Sequence, residues 1–386
     1  MVSHKNKDIF LDMKRCNKCV LPETFPGISF DEKGVCNYCN DWDSVNVLGE
    51  KELMKKLDFY RNKGSEYDVL IPFSGGRDSS FVVHQMVKKY DMRVMGITVD
   101  SGFITKEGYQ NIEQVAKKLK IPHVYLKDEK QIGVSKKNCI IKFHSWLRKP
   151  SINTIVPVLN AGDKTMNLQM FQYAHDNDIP VVMGGNNIGN SVFEQEHWKT
   201  GFLGVFPDDR GYYSRKDKFK LSFLFWNEYL KNRSNLKIPI LMEYTKGAAV
   251  YFFESMMKPK DVDTLGFYDY IYWDEKKIVN TITKELGWKN AEDATTTWRV
   301  DDTAYPLINY LYYNLVGFTE HDEMYSKMIR EGQIKRADAM KSLKMDHQPR
   351  VPSLKALFEE LEVTKEEVDE AIEEYREELL PEILSK

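Results

Sequence analysis

No apolar run in the chain approaches the roughly 20 residues a bilayer-spanning helix needs. Met1 to Asp12 is charged and lacks the apolar core of a secretory signal, so the expectation is a cytoplasmic protein without membrane contact. Nor is there a basic excess. With 55 Lys and Arg against 58 Asp and Glu, the net charge is -3, which argues against a broad sequence-independent nucleic-acid surface but leaves a local basic groove open. Cysteine is scarce: five residues in 386, four of them in one short region, which speaks against the disulfide framework of a small secreted domain. The phosphate-binding signatures G-x-x-x-x-G-K-S/T and G-x-G-x-x-G are both missing. There are no internal repeats and no low-complexity tract. What remains is a globular chain long enough for two or three domains and a sizeable core.

The most informative stretch runs from Tyr67 to Val87. Val69-Leu70-Ile71 reads as a buried strand. Gly75 and Gly76 make a tight turn whose backbone reaches angles closed to other residues. A helix follows, with Asp78, Ser79 and Ser80 where side-chain oxygens cap free N–H groups. A helix start fed by such a loop attracts anions, because free N–H groups and the helix dipole point the same way. The sequence Ser74-Gly75-Gly76-Arg77-Asp78-Ser79 resembles the PP-loop of the N-type ATP pyrophosphatases. Those enzymes split ATP into AMP and pyrophosphate. An ordinary glycine-rich turn is the alternative, and the flanking strand and helix count against it.

Cys16-x-x-Cys19 and Cys36-x-x-Cys39 lie a zinc-ribbon spacing apart. Each pair can aim two thiolates at one point, closing a structural tetrahedral Zn2+ site; two redox pairs or an iron–sulfur cluster are the alternatives. Between them, Asp31-Glu32-Lys33-Gly34 reads as the turn of a small hairpin. Further along, the chain alternates helix and strand: a helix over 50–64, a strand within Arg93–Phe103, a helix over Glu107–Lys120, a strand at Pro122–Leu126, a helix over Gln131–Leu147 and a strand at Pro180–Gly184. This order predicts an α/β fold with a doubly wound parallel sheet. Ligands bind beyond the C-terminal ends of such strands, so Thr98 and Asp100 are expected beside the PP-loop, a plain turn being the other reading of Asp100. Asp163 and Lys164 stand at a loop-to-helix junction, as a handle for Mg2+ and phosphate or as a cap and a solvated lysine. The turn Gly184-Gly185-Asn186 can bring backbone and amide groups to a nucleotide, and Glu194 and Glu196 follow it. Lone Cys139 reads as a small buried apolar residue. Beyond about residue 200 helical patterns dominate, including helices over Met324–Glu331 and Lys365–Leu380. The expected division is a ribbon and linker at 1–48, an ATP-pyrophosphatase domain at 49–205 and a mostly helical region at 206–386.

The block Cys16-Asn17-Lys18-Cys19-Val20-Leu21-Pro22-Glu23-Thr24, the PP-loop, and Ile329-Arg330-Glu331-Gly332-Gln333 in a helical C-terminal half are together similar to the N-acetyl sugar amidotransferases of bacterial surface-glycan pathways. Two positions depart from that pattern: Gly184-Gly185-Asn186 stands for Gly-Glu-Asn, and Asp338 for a common Glu. The resemblance implies an ATP-dependent conversion of a sugar acetamido group to an acetamidino group. It implies ATP and pyrophosphate on Ser74, Gly75, Gly76, Asp78, Ser79, Ser80, Thr98, Asp100, Gly184 and Asn186. It implies catalytic roles for Asp163, Lys164 and Arg77, substrate contacts from Glu194, Arg299 and Arg330, ATP with Mg2+ at the reaction centre, and structural Zn2+ on the four cysteines. The expected partners are an N-acetylated nucleotide-sugar and a separate glutaminase subunit, because no glutaminase nucleophile is evident; a homo-oligomer is compatible. A tRNA-modifying, thiolating PP-loop enzyme and a non-catalytic ATP-binding subunit are the competing readings.

Overall fold

The computed structural model describes residues 10, 13–159, 166–184, 196–207, 213–232, 237, 238, 240–243, 245 and 256–385. Among the described residues five strands form one parallel sheet: β1 (Val69–Pro72), β2 (Val94–Asp100), β3 (His123–Lys127), β4 (Val181–Gly184) and β5 (Asp263–Gly266), in the order β3-β2-β1-β4-β5. Helices α1 (Glu50–Tyr60), α2 (Arg77–Lys88), α3 (Lys106–Leu119), α4 (Glu129–Arg148) and α5 (Met166–Asp176) accompany it. Side chains alternate across a strand. Val69 and Ile71 therefore join Phe81, Val82 and Met86 of α2 and Ile112 and Val115 of α3 in one core. Leu70 joins Met170, Phe171 and Ala174 of α5 in another. The sheet is covered on both faces, as expected of the doubly wound class.

The expected elements recur with shifted ends. Helix α1 stops at Tyr60, where Arg61 turns extended. The hairpin is a single antiparallel bridge, Phe30 to Cys36, around a turn closed by Gly34 N–H on the Asp31 carbonyl at 2.9 Å. The fifth strand comes from within the region expected to be mostly helical, at residues given no element of their own. Asp263–Gly266 pairs with Val181–Gly184 in parallel register and so extends the sheet beyond β4.

The C-terminal half contributes α6 (Arg215–Lys231), α7 (Tyr305–Val316), α8 (Glu320–Arg330), α9 (Arg336–Asp346), α10 (Val351–Glu360) and α11 (Lys365–Leu384). Thr364 and Glu367 form the expected capping box. The four cysteines belong to the core shared by α4, α7, α10 and α11. Among the described residues no helix is long and apolar enough to cross a membrane.

Candidate functional site

The order β3-β2-β1-β4-β5 reverses at β1. Successive strands extend to one side of β1 and then, from β4, to the other. The crevice beyond the strand ends at such a switch point is where open α/β sheets bind ligands. The Ser74–Ser79 loop lies there, between the C-terminal end of β1 and α2. Gly75 has φ +80°, and a Cβ on it would stand 2.1 Å from the Gly108 carbonyl oxygen. Its own carbonyl accepts from Trp288 Nε1 at 2.9 Å and Asn111 Nδ2 at 3.2 Å. The loop is thus pinned from α3 and from the segment after Gly287.

Gly76 caps α2 without any side-chain hydrogen bond. The Ser74 hydroxyl accepts from the Gly76 N–H at 3.4 Å and lies 3.2 Å from the Ser79 hydroxyl. Two hydroxyls and a helix N-terminus therefore converge at an exposed position, the donor set an anionic phosphate chain needs. Ser80 is different: buried, it donates back to the Gly76 carbonyl at 2.7 Å. Asp78 accepts from Trp273 Nε1 at 2.8 Å and from Arg77 Nε at 3.4 Å.

Arg77 is turned inward, only 2% exposed. Its guanidinium carbon sits 4.4 Å from the Trp298 ring centre and 4.9 Å from that of Trp273. It also donates to Glu275 at 2.6 Å and Thr297 at 2.8 Å. Expected among the catalytic groups, it here contacts Asp78 and the 297–298 segment.

Thr98 is buried and hydrogen-bonds the Phe73 carbonyl and, at 2.8 Å, His123 Nε2. Burial lowers the His123 pKa to about 4, so the imidazole is neutral at ordinary pH. Asp100 accepts from Gly102 N–H and Tyr109 Oη, each at 2.8 Å. The structure therefore shows both Thr98 and Asp100 fixing the end of β2. Gly184 ends β4 opposite Gly266. Asp163, Lys164, Asn186 and Glu194 lie outside the described residues.

Sequence reasoning missed a strap over this loop, Thr297 to Thr303. It meets the turn after β2 through Thr105 N–H to Asp301 O at 3.2 Å, Thr303 N–H to Phe103 O at 2.9 Å, and a bridge between Ile104 and Asp302. The Asp301 carboxylate lies against Gly76: a Cβ there would meet its oxygens at 2.9 and 3.0 Å. Arg299 adopts φ +51°, a conformation disfavoured for side-chain-bearing residues and concentrated at functional sites. Its guanidinium pairs with Glu196 and, at 3.5 Å, with Glu320, and lies 4.2 Å from the Tyr305 ring centre. The available signal was Trp298-Arg299-Val300-Asp301-Asp302, a cluster of reactive residue types with no helix or strand period.

Cys16, Cys19, Cys36 and Cys39 are buried, with all four sulfurs within 4.8 Å of one another. The N–H groups of Lys18, Cys19 and Cys36 donate to Cys16 Sγ at 3.4, 3.4 and 3.2 Å. Arg330, expected as a substrate contact, stands over this cluster. Its Nε is 3.3 Å from Cys39 Sγ and its Nη2 3.6 Å from Cys19 Sγ. Four converging thiols with N–H and guanidinium donors to sulfur fit a cation-bound thiolate set, so this group can hold a metal. Cys139 is buried, as expected.

No family model matches the chain, and no curated protein matches it. Among solved structures it is similar to the U34-tRNA thiolase NcsA from Methanococcus maripaludis with its 4Fe-4S cluster, at 14% identity over 86% of this chain and 88% of that one, TM-score 0.34. It is similar also to the NMN synthetase from Francisella tularensis, at 15% identity over 53% and 93%, TM-score 0.25. A third is the NH3-dependent NAD synthetase from Campylobacter jejuni subsp. jejuni NCTC 11168, at 14% identity over 52% and 92%, TM-score 0.25. Likeness this distant carries no conclusion about activity.

Proposed function

We propose that the chain is an ATP-dependent enzyme, forming AMP and pyrophosphate, that converts the acetamido group of an N-acetylated nucleotide-sugar into an acetamidino group. The observation that supports it is the Ser74–Ser79 loop opening α2 at the switch point of the sheet, with the Ser74 and Ser79 hydroxyls 3.2 Å apart at its mouth. The sequence block around the cysteines and the Arg330 segment narrow the reading from ATP use to sugar amidotransfer.

The chemistry suits an amide, a poor electrophile. Its carbonyl oxygen attacks the α-phosphorus of ATP and the bond to pyrophosphate breaks. Ammonia then adds to the activated carbon, loses its proton, and the C–O bond to AMP breaks as C=N forms. The protein's part is positioning and charge stabilisation. In this reading Ser74, Ser79 and the N–H groups of the loop hold the pyrophosphate, and Asp163 and Lys164 serve the Mg2+ accompanying ATP and the developing charge. Ammonia comes from a separate glutaminase subunit in the cytoplasm; glutamine-dependent turnover by this chain alone would refute that. The products feed bacterial surface-polysaccharide synthesis.

The cysteines hold structural Zn2+. A Zn–S bond of about 2.3 Å sets the edges of a sulfur tetrahedron at about 3.8 Å. The Cys16–Cys39 and Cys19–Cys36 separations are 3.9 and 3.7 Å. A four-iron cluster puts each thiolate on its own iron and spreads the sulfurs wider.

The test is pyrophosphate release and product mass with ATP, Mg2+, ammonium and a panel of acetamido nucleotide-sugars. Release together with a sugar that has exchanged O for NH supports the proposal and names the substrate. Release only when tRNA is supplied assigns the chain to the tRNA-modifying alternative. Release under neither condition favours a non-catalytic subunit.

A further inference from the structure

The Ser74–Ser79 loop is built for an anion, yet the side chain lying closest to a Cβ built on Gly76 is an acid. The Asp301 carboxyl lies against Gly76, within 3.0 Å of where a Cβ would stand, and the Ser74 hydroxyl interacts with it. Three features fix it there: the backbone pairing of the strap with the turn after β2, the positive φ of Arg299, and the Trp298 ring on Arg77. Of the charges around it, Arg299 is engaged by Glu196 and Glu320, and Arg77 by Glu275 and Asp78. Asp78, on the first turn of α2, is a second acid facing it. Burial raises the pKa of Asp301, and the Asp78 charge adds to the rise while Ser74 and Arg299 oppose it. A fixed carboxylate at the rim of an anion seat penalises a bare polyphosphate. The penalty disappears when a divalent cation accompanies the phosphate, because the same carboxylate then faces positive charge.

We propose that Asp301 makes this loop selective for phosphate chains that carry a divalent cation over bare ones. Selection of the magnesium complex is thereby assigned to a residue of the C-terminal half. The proposal rests on the loop being the pyrophosphate site.

The experiment is calorimetric titration of the full chain with pyrophosphate, in excess Mg2+ and in magnesium-free buffer without chelator, so that any metal on the cysteines stays in place. Wild type, Asp301→Asn, Asp301→Ser and Ser74→Ala are compared, each checked by its melting curve. Wild type binds the magnesium complex more tightly. In Asp301→Asn the ratio of the two affinities falls about tenfold or more, mainly through tighter binding of bare pyrophosphate, the size expected for removing one close like charge. Asp301→Ser behaves alike, and Ser74→Ala weakens both forms. An unchanged ratio in both Asp301 variants overturns the proposal. So does loss of both ligands from folded Asp301 variants, which would make Asp301 part of the seat itself. If wild type binds neither form, the pyrophosphate-site reading falls, and this proposal with it.

Discussion

Replacing Gly75 by Ala tests the construction of the loop more sharply than any hydroxyl deletion. At φ +80° an alanine costs roughly 1–2 kcal/mol by conformation alone. The new Cβ would also stand 2.1 Å from the Gly108 carbonyl oxygen, a backbone atom that no rotamer change can move. Relief requires the loop to back away from α3, which stretches the hydrogen bonds from Trp288 and Asn111 to the Gly75 carbonyl. Each is worth about 0.5–1.5 kcal/mol. The sum is a destabilisation of about 2–5 kcal/mol, with the Gly76 N–H and the two serines carried out of register. Gly204→Ala is the control, since Gly204 has φ +65° but nothing within 4 Å of a Cβ. It bears only the conformational part. Urea denaturation gives the stabilities, and titration with magnesium pyrophosphate gives the affinities. Gly75→Ala should lose about twice the stability that Gly204→Ala loses, or more, and bind pyrophosphate at least about tenfold more weakly. Equal losses in the two variants, with pyrophosphate affinity intact, would refute the close packing of this loop on α3 and its role as the anion seat.

Removing the metal should unfold the N-terminal ribbon: Cys19→Ser should abolish stoichiometric zinc in elemental analysis and lower the melting temperature, whereas iron with visible absorption would reject the zinc assignment. Asp322 is buried between Arg15 and His347, the latter at 2.8 Å. Burial opposes its ionisation, but those partners hold its pKa well below the usual carboxylate range. Asp322→Asn leaves two largely covered partners without their buried acid and should cost about 3–5 kcal/mol in urea denaturation; a loss below about 1 kcal/mol would show the pair to be dispensable. The pH dependence of stability has a worked sign. His123, depressed by burial to about 4, is protonated more readily when unfolded, so stability falls as pH drops from about 6.5 towards 4. Glu323 is held down to about 2, burial being outweighed by Lys327 and His197, so its contribution is present above about pH 4.5 and disappears towards pH 2. His123→Gln should flatten the upper part of the profile and leave the lower part; an unaltered upper slope counts against a buried neutral imidazole.

Which parts were legible in the sequence follows from the range of the interactions that make them. The Ser74–Ser79 loop, the paired cysteines and the Thr364 capping box are written in contiguous residues, and each is present. Strand β5 was not legible. Asp263-Thr264-Leu265-Gly266 has neither alternation nor β-branched density; it is extended because β4 offers it an edge. The sequence pattern places the start of α8 one turn late, at Met324. The structure begins it after Thr319, whose side chain is answered by Asp322 at the third helical position where Glu or Gln is the usual signal. Arg330 shows the converse limit. An arginine's chemistry predicts an anionic partner, but sequence alone cannot distinguish a phosphate from a thiolate cluster some 290 residues away in the chain.

Helix α8 touches the strap at one end and the cysteine cluster at the other. Its buried residues are mostly polar or charged, an arrangement that is costly unless every charge has a partner. At its N-terminal end Glu320 accepts from Trp298 Nε1 at 2.9 Å, and Trp298, itself in the strap, lies on Arg77. In the middle Asp322 pairs with Arg15 next to Cys16, and Glu323 with His197 and Lys327. At its C-terminal end Arg330 donates to the sulfurs of Cys39 and Cys19. One rigid helix thus connects the cysteine cluster to the strap that brings Asp301 to the loop. Thiolates bound to a cation present a defined acceptor to Arg330, and the free thiols of a stripped site present a weaker one. We expect a chain stripped of metal at the cysteines to bind magnesium pyrophosphate more weakly, through loosening of α8 from its Arg330 end towards Glu320 and Trp298; unchanged affinity after stripping would refute this coupling.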